Sequence, residues 1–256
     1  MKNYFVLFLL GFSLWASNAR AVEINVAAAS DLKFALDELI GEFQTNQSDI
    51  KVKASYGSSG NFFSQLKNKA PFDLYFSADV SYPRKLAAAG LALESNVFLY
   101  AVGRLVVWVP NQSPTRVRLL GIRSLLVPSA KKIAIANPEH APYGVAAVNA
   151  MKSLKVYDAV KSKLVYGDNI AQTAQFIQSG SADIGIIALS LAIAPQMRGK
   201  GRYWEVPLNA YPKMEQGGMI LNWTKEVKAS RTFRDFVLGE QGREVLKCYG
   251  FFLPEK

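Results

Sequence analysis

The 256-residue chain has one cysteine, Cys248, and one histidine, His140. A lone cysteine makes no intramolecular disulfide, which excludes a small disulfide-stapled scaffold. One thiol and one imidazole also cannot assemble a zinc or haem site of the usual His/Cys kind. Long apolar runs are equally scarce. The single such run lies at the N-terminus, so a helical membrane bundle is excluded. No Walker-A Gly-x-x-x-x-Gly-Lys-Ser/Thr is present, and no Gly-x-Gly-x-x-Gly follows a strand-like run, so neither nucleotide fingerprint is available. What remains is an ordinary globular composition, 50% hydrophobic and 12% aromatic, which rules out disorder and supports a sizeable core.

Acidic residues are the minority among the charges, 20 against 30 basic, for a net charge of +10. Phosphate backbones reward clustered Lys and Arg, but here the basic residues are scattered. The densest group, Arg198-Gly199-Lys200-Gly201-Arg202, is a glycine-rich loop without an aromatic stacking platform, so it reads as a solvated loop and no nucleic-acid partner is expected. A positive surface does raise the local concentration of small anions.

The N-terminal run reads as an export signal. Lys2 supplies the positive start, Tyr4 to Ala16 is uncharged and mostly apolar, and Ala19-Arg20-Ala21 has the small-x-small cleavage pattern. The run is too short to span a membrane as a helix, and no cysteine follows it to carry a lipid. Residues 1–21 are therefore expected to be removed, leaving a soluble exported protein with a net charge of +8 once Lys2 and Arg20 are gone.

Along the rest of the chain, strand-like and helix-like runs alternate. Ile24–Ala28 predicts a buried strand, and Leu32, Leu36, Leu39, Ile40 and Phe43 fall on one helical face. Strands follow at Lys51–Tyr56 and Asp73–Ala78, with helices from Phe62 and over Tyr82–Ala89, the latter ended by Gly90. Leu105–Val109 is a nearly continuous apolar strand closed by Pro110. Further strands are expected at Lys131–Ala136, Leu164–Tyr166, Ile184–Ile187, Tyr203–Val206 and Met219–Trp223. Helices are expected over Val145–Leu154, Ile170–Gln178, Ser230–Leu238 and Gly242–Tyr249. Repeated β-then-α is the signature of an α/β fold with parallel sheets covered by helices on both faces. The length suits either one domain or two lobes of roughly 110 residues, and no linker chooses between them.

Four times a strand ends in small or polar residues that open a helix. These loops are Ala28-Ala29-Ser30-Asp31, Gly57-Ser58-Ser59-Gly60-Asn61, Asn137 to Gly144, and Gly167-Asp168-Asn169-Ile170. A helix N-terminus carries unsatisfied N–H donors and partial positive charge, and in parallel α/β sheets such turns sit where ligands bind. Any one of them is more simply a helix cap, since Ser, Asp and Asn are the usual cap residues. Ser58-Ser59 exceeds that need, because two adjacent hydroxyls are more than one cap requires.

Enzyme readings find little support. Gly57-Ser58-Ser59-Gly60-Asn61 resembles a nucleophile elbow, but Gly-x-Ser-x-Gly needs glycine where Asn61 stands. A serine hydrolase built on Ser59 would also have to use His140, the only histidine, as its base. No catalytic residue, resident cofactor or metal is expected.

Read in order, these loops resemble the periplasmic molybdate-binding component of bacterial ABC transporters. The resemblance runs through Ala27 to Leu32, Tyr56 to Gly60, Pro71 to Asp79, Ala136 to Gly144, Asp183 to Ile187 and the ending Cys248-Tyr249-Gly250-Phe251. It implies a two-lobed, type II-like periplasmic binding protein, each lobe a sheet flanked by helices, with the ligand in the cleft between them. Residues 22–103 and 214–256 would form one lobe and 104–213 the inserted other, with crossings near Gly103–Arg104 and Pro212–Glu215. It also implies binding of molybdate, with tungstate beside it, and delivery to a membrane ABC permease by a monomeric periplasmic protein. The same fold holding sulfate, phosphate or an organic anion is the alternative, and an exported serine hydrolase a distant one.

The family's binding positions fall on Ser30, on Ser59 with its neighbour Ser58, on Tyr143, and on Ile170 through its main-chain N–H. Many relatives carry a tyrosine where this chain has Ala188, and a small residue where it has Tyr143. Tyr143 is therefore expected to contact the anion, either through its phenol, which would supply the missing donor, or through its main-chain N–H. A fully ionised oxyanion has only acceptors, so such a pocket should present only donors, and smaller sulfate would be rejected by size. Asp31 and Asp168 read as charges placed at helix N-termini.

Overall fold

Residues 21–93 and 97–254 are described in the computed structural model, and within them the apolar runs assemble into two separate sheets. The export segment expected at residues 1–21 lies outside the described residues, save for its last position.

The first sheet begins with β1 (Val22–Ala29), followed by α1 (Lys33–Asn46), β2 (Ile50–Gly57), α2 (Ser59–Lys67), β3 (Leu74–Ser77), α3 (Ser81–Ala88) and β4 (Phe98–Gly103). β1 lies between β2 and β3 and runs parallel to both. As the periodicity predicts, α1 buries Leu36, Leu39 and Phe43 against this sheet, while Ile40 stays half-exposed. Each fully buried leucine contributes about 2 kcal/mol of transfer free energy.

One residue, Arg104, separates β4 from β5 (Leu105–Pro110), which belongs to the second sheet. There the chain forms α4 (Val117–Leu120), β6 (Ile133–Ala136), α5 (Pro142–Ser153), α6 (Tyr157–Val160), β7 (Leu164–Gly167), α7 (Ile170–Gln178), β8 (Ile184–Ala188), α8 (Leu189–Ala192) and β9 (Gly201–Glu205). The order is β7-β6-β8-β5-β9, and all six residues of β5 are buried between β8 and β9. The chain then returns to the first sheet with β10 (Met214–Ile220) and ends in α9 (Val227–Leu238) and α10 (Glu240–Cys248). The first sheet is thus β2-β1-β3-β10-β4.

Three features differ from the sequence expectation. The sheets are mixed, because β10 pairs antiparallel with β3 and β4, and β5 pairs antiparallel with β8 and β9. These two strands arrive directly from the other sheet, without the helical crossover that a parallel neighbour requires. β4 was not anticipated, since Phe98 to Val109 reads as one apolar stretch interrupted only at Gly103-Arg104. β10 begins five residues earlier than the expected Met219, because Gly217-Gly218 reads as a poor strand former. Both glycines are needed there: a Cβ on Gly218 would lie 2.5 Å from the Tyr75 carbonyl oxygen, and one on Gly217 would lie 2.7 Å from Val80 Cγ2.

Candidate functional site

The strand-to-helix loops converge. Ser30, Ser58, Ser59, Tyr143 and Ile170 all line one small pocket, together with Asp31, Ala78 and Pro142. Ser30 and the two adjacent serines come from the first sheet's loops, Tyr143 and Ile170 from those of the second. All five are buried, none more than 4% exposed. A larger cavity alongside is lined by Asp79, Glu215 and Lys213, whose ammonium is already paired with Glu215 at 3.1 Å.

Helix starts explain why these residues face the pocket with free donors. Ser58 is the N-cap of α2, its Oγ accepting the Asn61 N–H at 3.4 Å, which makes Ser59 the first helical residue. Asn169 caps α7 by accepting from the N–H groups of Ala171 and Gln172, leaving Ile170 first in line. α5 starts earlier than the periodicity suggests, with Pro142 at its first position and no side-chain cap, so Tyr143 sits in the first turn. The N–H groups of Ser59, Tyr143 and Ile170 thus have no intrahelical acceptor, and no cap or loop atom among the described residues takes them.

The serine hydroxyls show a matching pattern. Ser59 Oγ accepts the Ala78 N–H at 2.9 Å, and Ser30 Oγ accepts the Ala171 N–H at 3.3 Å. Both hydroxyls, like that of Ser58, act as acceptors toward the protein, and their protons have no protein acceptor among the described residues. Three hydroxyl protons and three main-chain N–H groups are therefore available at one buried pocket. That donor set can surround a small, fully ionised oxyanion.

Contacts between the two sheet systems close the pocket. The Gly60 N–H donates to the His140 carbonyl at 2.9 Å, and Asn61 Nδ2 donates to Asp168 Oδ1 at 3.2 Å. Ser190 Oγ donates to the Asp31 carbonyl at 2.8 Å. A Cβ on Gly60 would stand 2.5 Å from the His140 carbonyl oxygen, so this approach is possible only for glycine.

Of the two routes open to Tyr143, the phenol does not point its proton at the pocket: it donates to Asp31 Oδ2 at 3.0 Å, leaving the main-chain N–H as the Tyr143 donor. Asp31 stands in a first helical turn, as expected, but is 1% exposed there, with Gln216 Nε2 donating to the same oxygen at 2.6 Å. Burial pushes its pKa up to about 6, against the lowering effect of the Gln216 and Tyr143 hydrogen bonds. Burial and the neighbouring Asp31 in turn hold the Tyr143 phenol well above its ordinary value. Asp168, by contrast, is exposed as expected.

The pairing a serine hydrolase would need is not formed. His140 Nε2 lies 2.9 Å from the Asp168 carbonyl oxygen and 3.2 Å from its carboxylate, whereas the Ser59 hydroxyl is engaged with Ala78. Sequence reading missed Gly60, Asn61 and Gln216. Only the first had a signal, its place beside two serines, and that reads equally as a turn.

Comparison with known proteins gives a consistent answer. Residues 24–252 match the family model described as bacterial extracellular solute-binding protein. The molybdate-binding protein ModA of Azotobacter vinelandii is 37% identical over 245 residues, covering 95% of each chain. The protein of the same name from Rhodobacter capsulatus is 34% identical, covering 91% of this chain and 89% of the relative. Among solved structures, the Azotobacter vinelandii periplasmic molybdate-binding protein superposes with a TM-score of 0.82 at 31% identity, over 91% of this chain and all of that one.

Proposed function

This chain belongs to the bacterial extracellular solute-binding proteins, and to the periplasmic molybdate-binding members among them, and we propose on that premise that it captures molybdate, with tungstate as a second ligand, and delivers it to a membrane ABC permease. In this reading Ser30, Ser58, Ser59, Tyr143 and Ile170 hold the anion, the serines through hydroxyls, Tyr143 and Ile170 through main-chain N–H groups. We take residues 22–103 and 214–256 as one lobe and 104–213 as the other, and the protein as an exported monomer whose signal segment is residues 1–21.

The observation that carries the proposal is the set of six donors left without acceptors among the described residues around one pocket. Six charge-assisted hydrogen bonds at about 1.5–3 kcal/mol each exceed the roughly 8 kcal/mol of a micromolar Kd, leaving a surplus for dehydration and lobe closure. Neutral donors suffice, so no lysine or arginine is required in the pocket. Sulfate has the same charge and shape but is smaller, and donors set for a larger anion cannot all reach it.

Because the ligand holds both lobes, it should stabilise the fold by RT ln(1 + [L]/Kd). At a thousandfold excess over Kd this is about 4 kcal/mol, or a Tm rise of roughly 8–16 °C for a chain of this size. Thermal unfolding with millimolar molybdate, tungstate, sulfate and phosphate, followed by calorimetric titration, tests it. An unchanged Tm with molybdate would remove the assignment, and a larger shift with phosphate or sulfate would replace the ligand.

A further inference from the structure

We propose that Asp31 makes anion capture proton-linked: its carboxyl takes up one proton from solvent when a dianion binds, and the loaded, closed protein carries it as the neutral acid. The inference rests on the oxyanion reading above and adds to it a specificity-determining residue outside the donor set.

The geometry is that of a cluster one proton short. Tyr143 Oη and Gln216 Nε2 both donate to Asp31 Oδ2, and Gln216 Nε2 also lies 3.2 Å from Tyr143 Oη. Two other atoms of the cluster, Asp31 Oδ1 and Gln216 Oε1, are buried without any hydrogen-bond partner. Both are acceptors. A buried unpaired carboxylate oxygen is costly, and one added proton on the carboxyl removes its charge.

Besides the Tyr143 and Gln216 bonds, only the backbone N–H groups of Asp31 and Leu32 favour the ionised form among the described residues. The groups facing Asp31 are Tyr143 on α5, Tyr100 on β4, Gln216 on β10 and Ser190 on α8, and no lysine, arginine or histidine is among those acting on it. A bulge in β10 between Gln216 and Gly217 accompanies the complete burial of the Gln216 side chain. Asp31 is one of the residues lining the anion pocket, so a dianion placed there repels its buried carboxylate through a dry interior. Burial already holds the pKa at about 6, and the dianion raises it further. The proton balance is simple: one O–H bond forms at Asp31, and the proton comes from the buffer.

The sign follows from linkage. A group whose pKa rises on binding gives the tightest binding below its free pKa, with affinity falling tenfold per pH unit above it until the loaded pKa is passed. Calorimetric titration of the mature protein with molybdate at pH 7, in buffers of different ionisation enthalpy, counts the protons. Wild type should take up close to one proton per anion and lose about fivefold in affinity between pH 6 and 7, where molybdate stays a dianion. Asp31→Asn should take up none and bind with a Kd independent of pH. Tyr143→Phe removes a donor from the carboxylate, so its break should move to higher pH. Tight binding without proton uptake in wild type, or a break unmoved in both variants, overturns the proposal and leaves the anion site standing. No binding of any oxyanion by wild type overturns the site itself.

Discussion

Gly60→Ala should weaken anion binding by about two orders of magnitude while leaving the ligand-free protein as stable as wild type or slightly more so. Gly60 is the second residue of α2 and does not adopt a positive φ, so alanine suits its backbone and raises helix propensity. The obstruction arises only where the lobes meet. There the new Cβ would stand 2.5 Å from the His140 carbonyl oxygen, 2.9 Å from its Cα and 3.0 Å from Tyr82 Oη. Two of these neighbours are backbone, so the lobes must part by about 1 Å to reach ordinary contact. The Gly60 N–H bond to the same carbonyl is weakened at the same time. Overpacking of this kind costs about 1–3 kcal/mol and a lost hydrogen bond about 1 kcal/mol, which together correspond to roughly a hundredfold in Kd. His140→Ala is the control. It removes the ring but keeps the carbonyl, and should change Kd by no more than about 0.5 kcal/mol. Calorimetric Kd values for both variants decide the matter; wild-type affinity in Gly60→Ala would mean that anion capture does not need this approach.

Ser59→Ala should lower both affinity and stability, through two different bonds of one oxygen. The hydroxyl proton has no protein acceptor and is assigned to the anion. Its loss in a dry site removes about 1.5–3 kcal/mol, a tenfold to hundredfold rise in Kd. The same Oγ accepts the buried Ala78 N–H at 2.9 Å, and alanine leaves that group unpaired. An orphaned buried N–H costs about 1–3 kcal/mol, lowering the ligand-free Tm by roughly 2–10 °C. Ser58→Ala should behave differently. Ser58 caps α2, so its removal costs about 1 kcal/mol of stability, with a smaller effect on the anion than the Ser59 change. Paired Tm and Kd measurements separate the two serines. Equal Kd values for wild type and Ser59→Ala would remove this hydroxyl from the donor set.

What the sequence determined by itself was everything set by near neighbours in the chain. The alternation of β1, α1, β2 and α2 follows from side-chain periodicity, and α7 begins at Ile170 because Asn169 caps it. The four loops could be recognised as donor-rich for the same reason: a helix start leaves its N–H groups free whatever surrounds it.

Tertiary structure decided what those donors face. That β5 and β10 run antiparallel depends on the chain crossing between sheets, which no local pattern records. Asp31 reads as an N-terminal helix charge until Tyr143 and Gln216, 112 and 185 residues away, arrive to bury it. The Tyr143 phenol was free to face the anion in the sequence and is committed to Asp31 in the fold. Gly60 looks like turn chemistry, yet its requirement comes from His140, in a loop of the second sheet. Backbone donors are fixed by local hydrogen-bond geometry, whereas the partner of a side chain, and hence its protonation, is fixed by which distant surfaces are brought into contact.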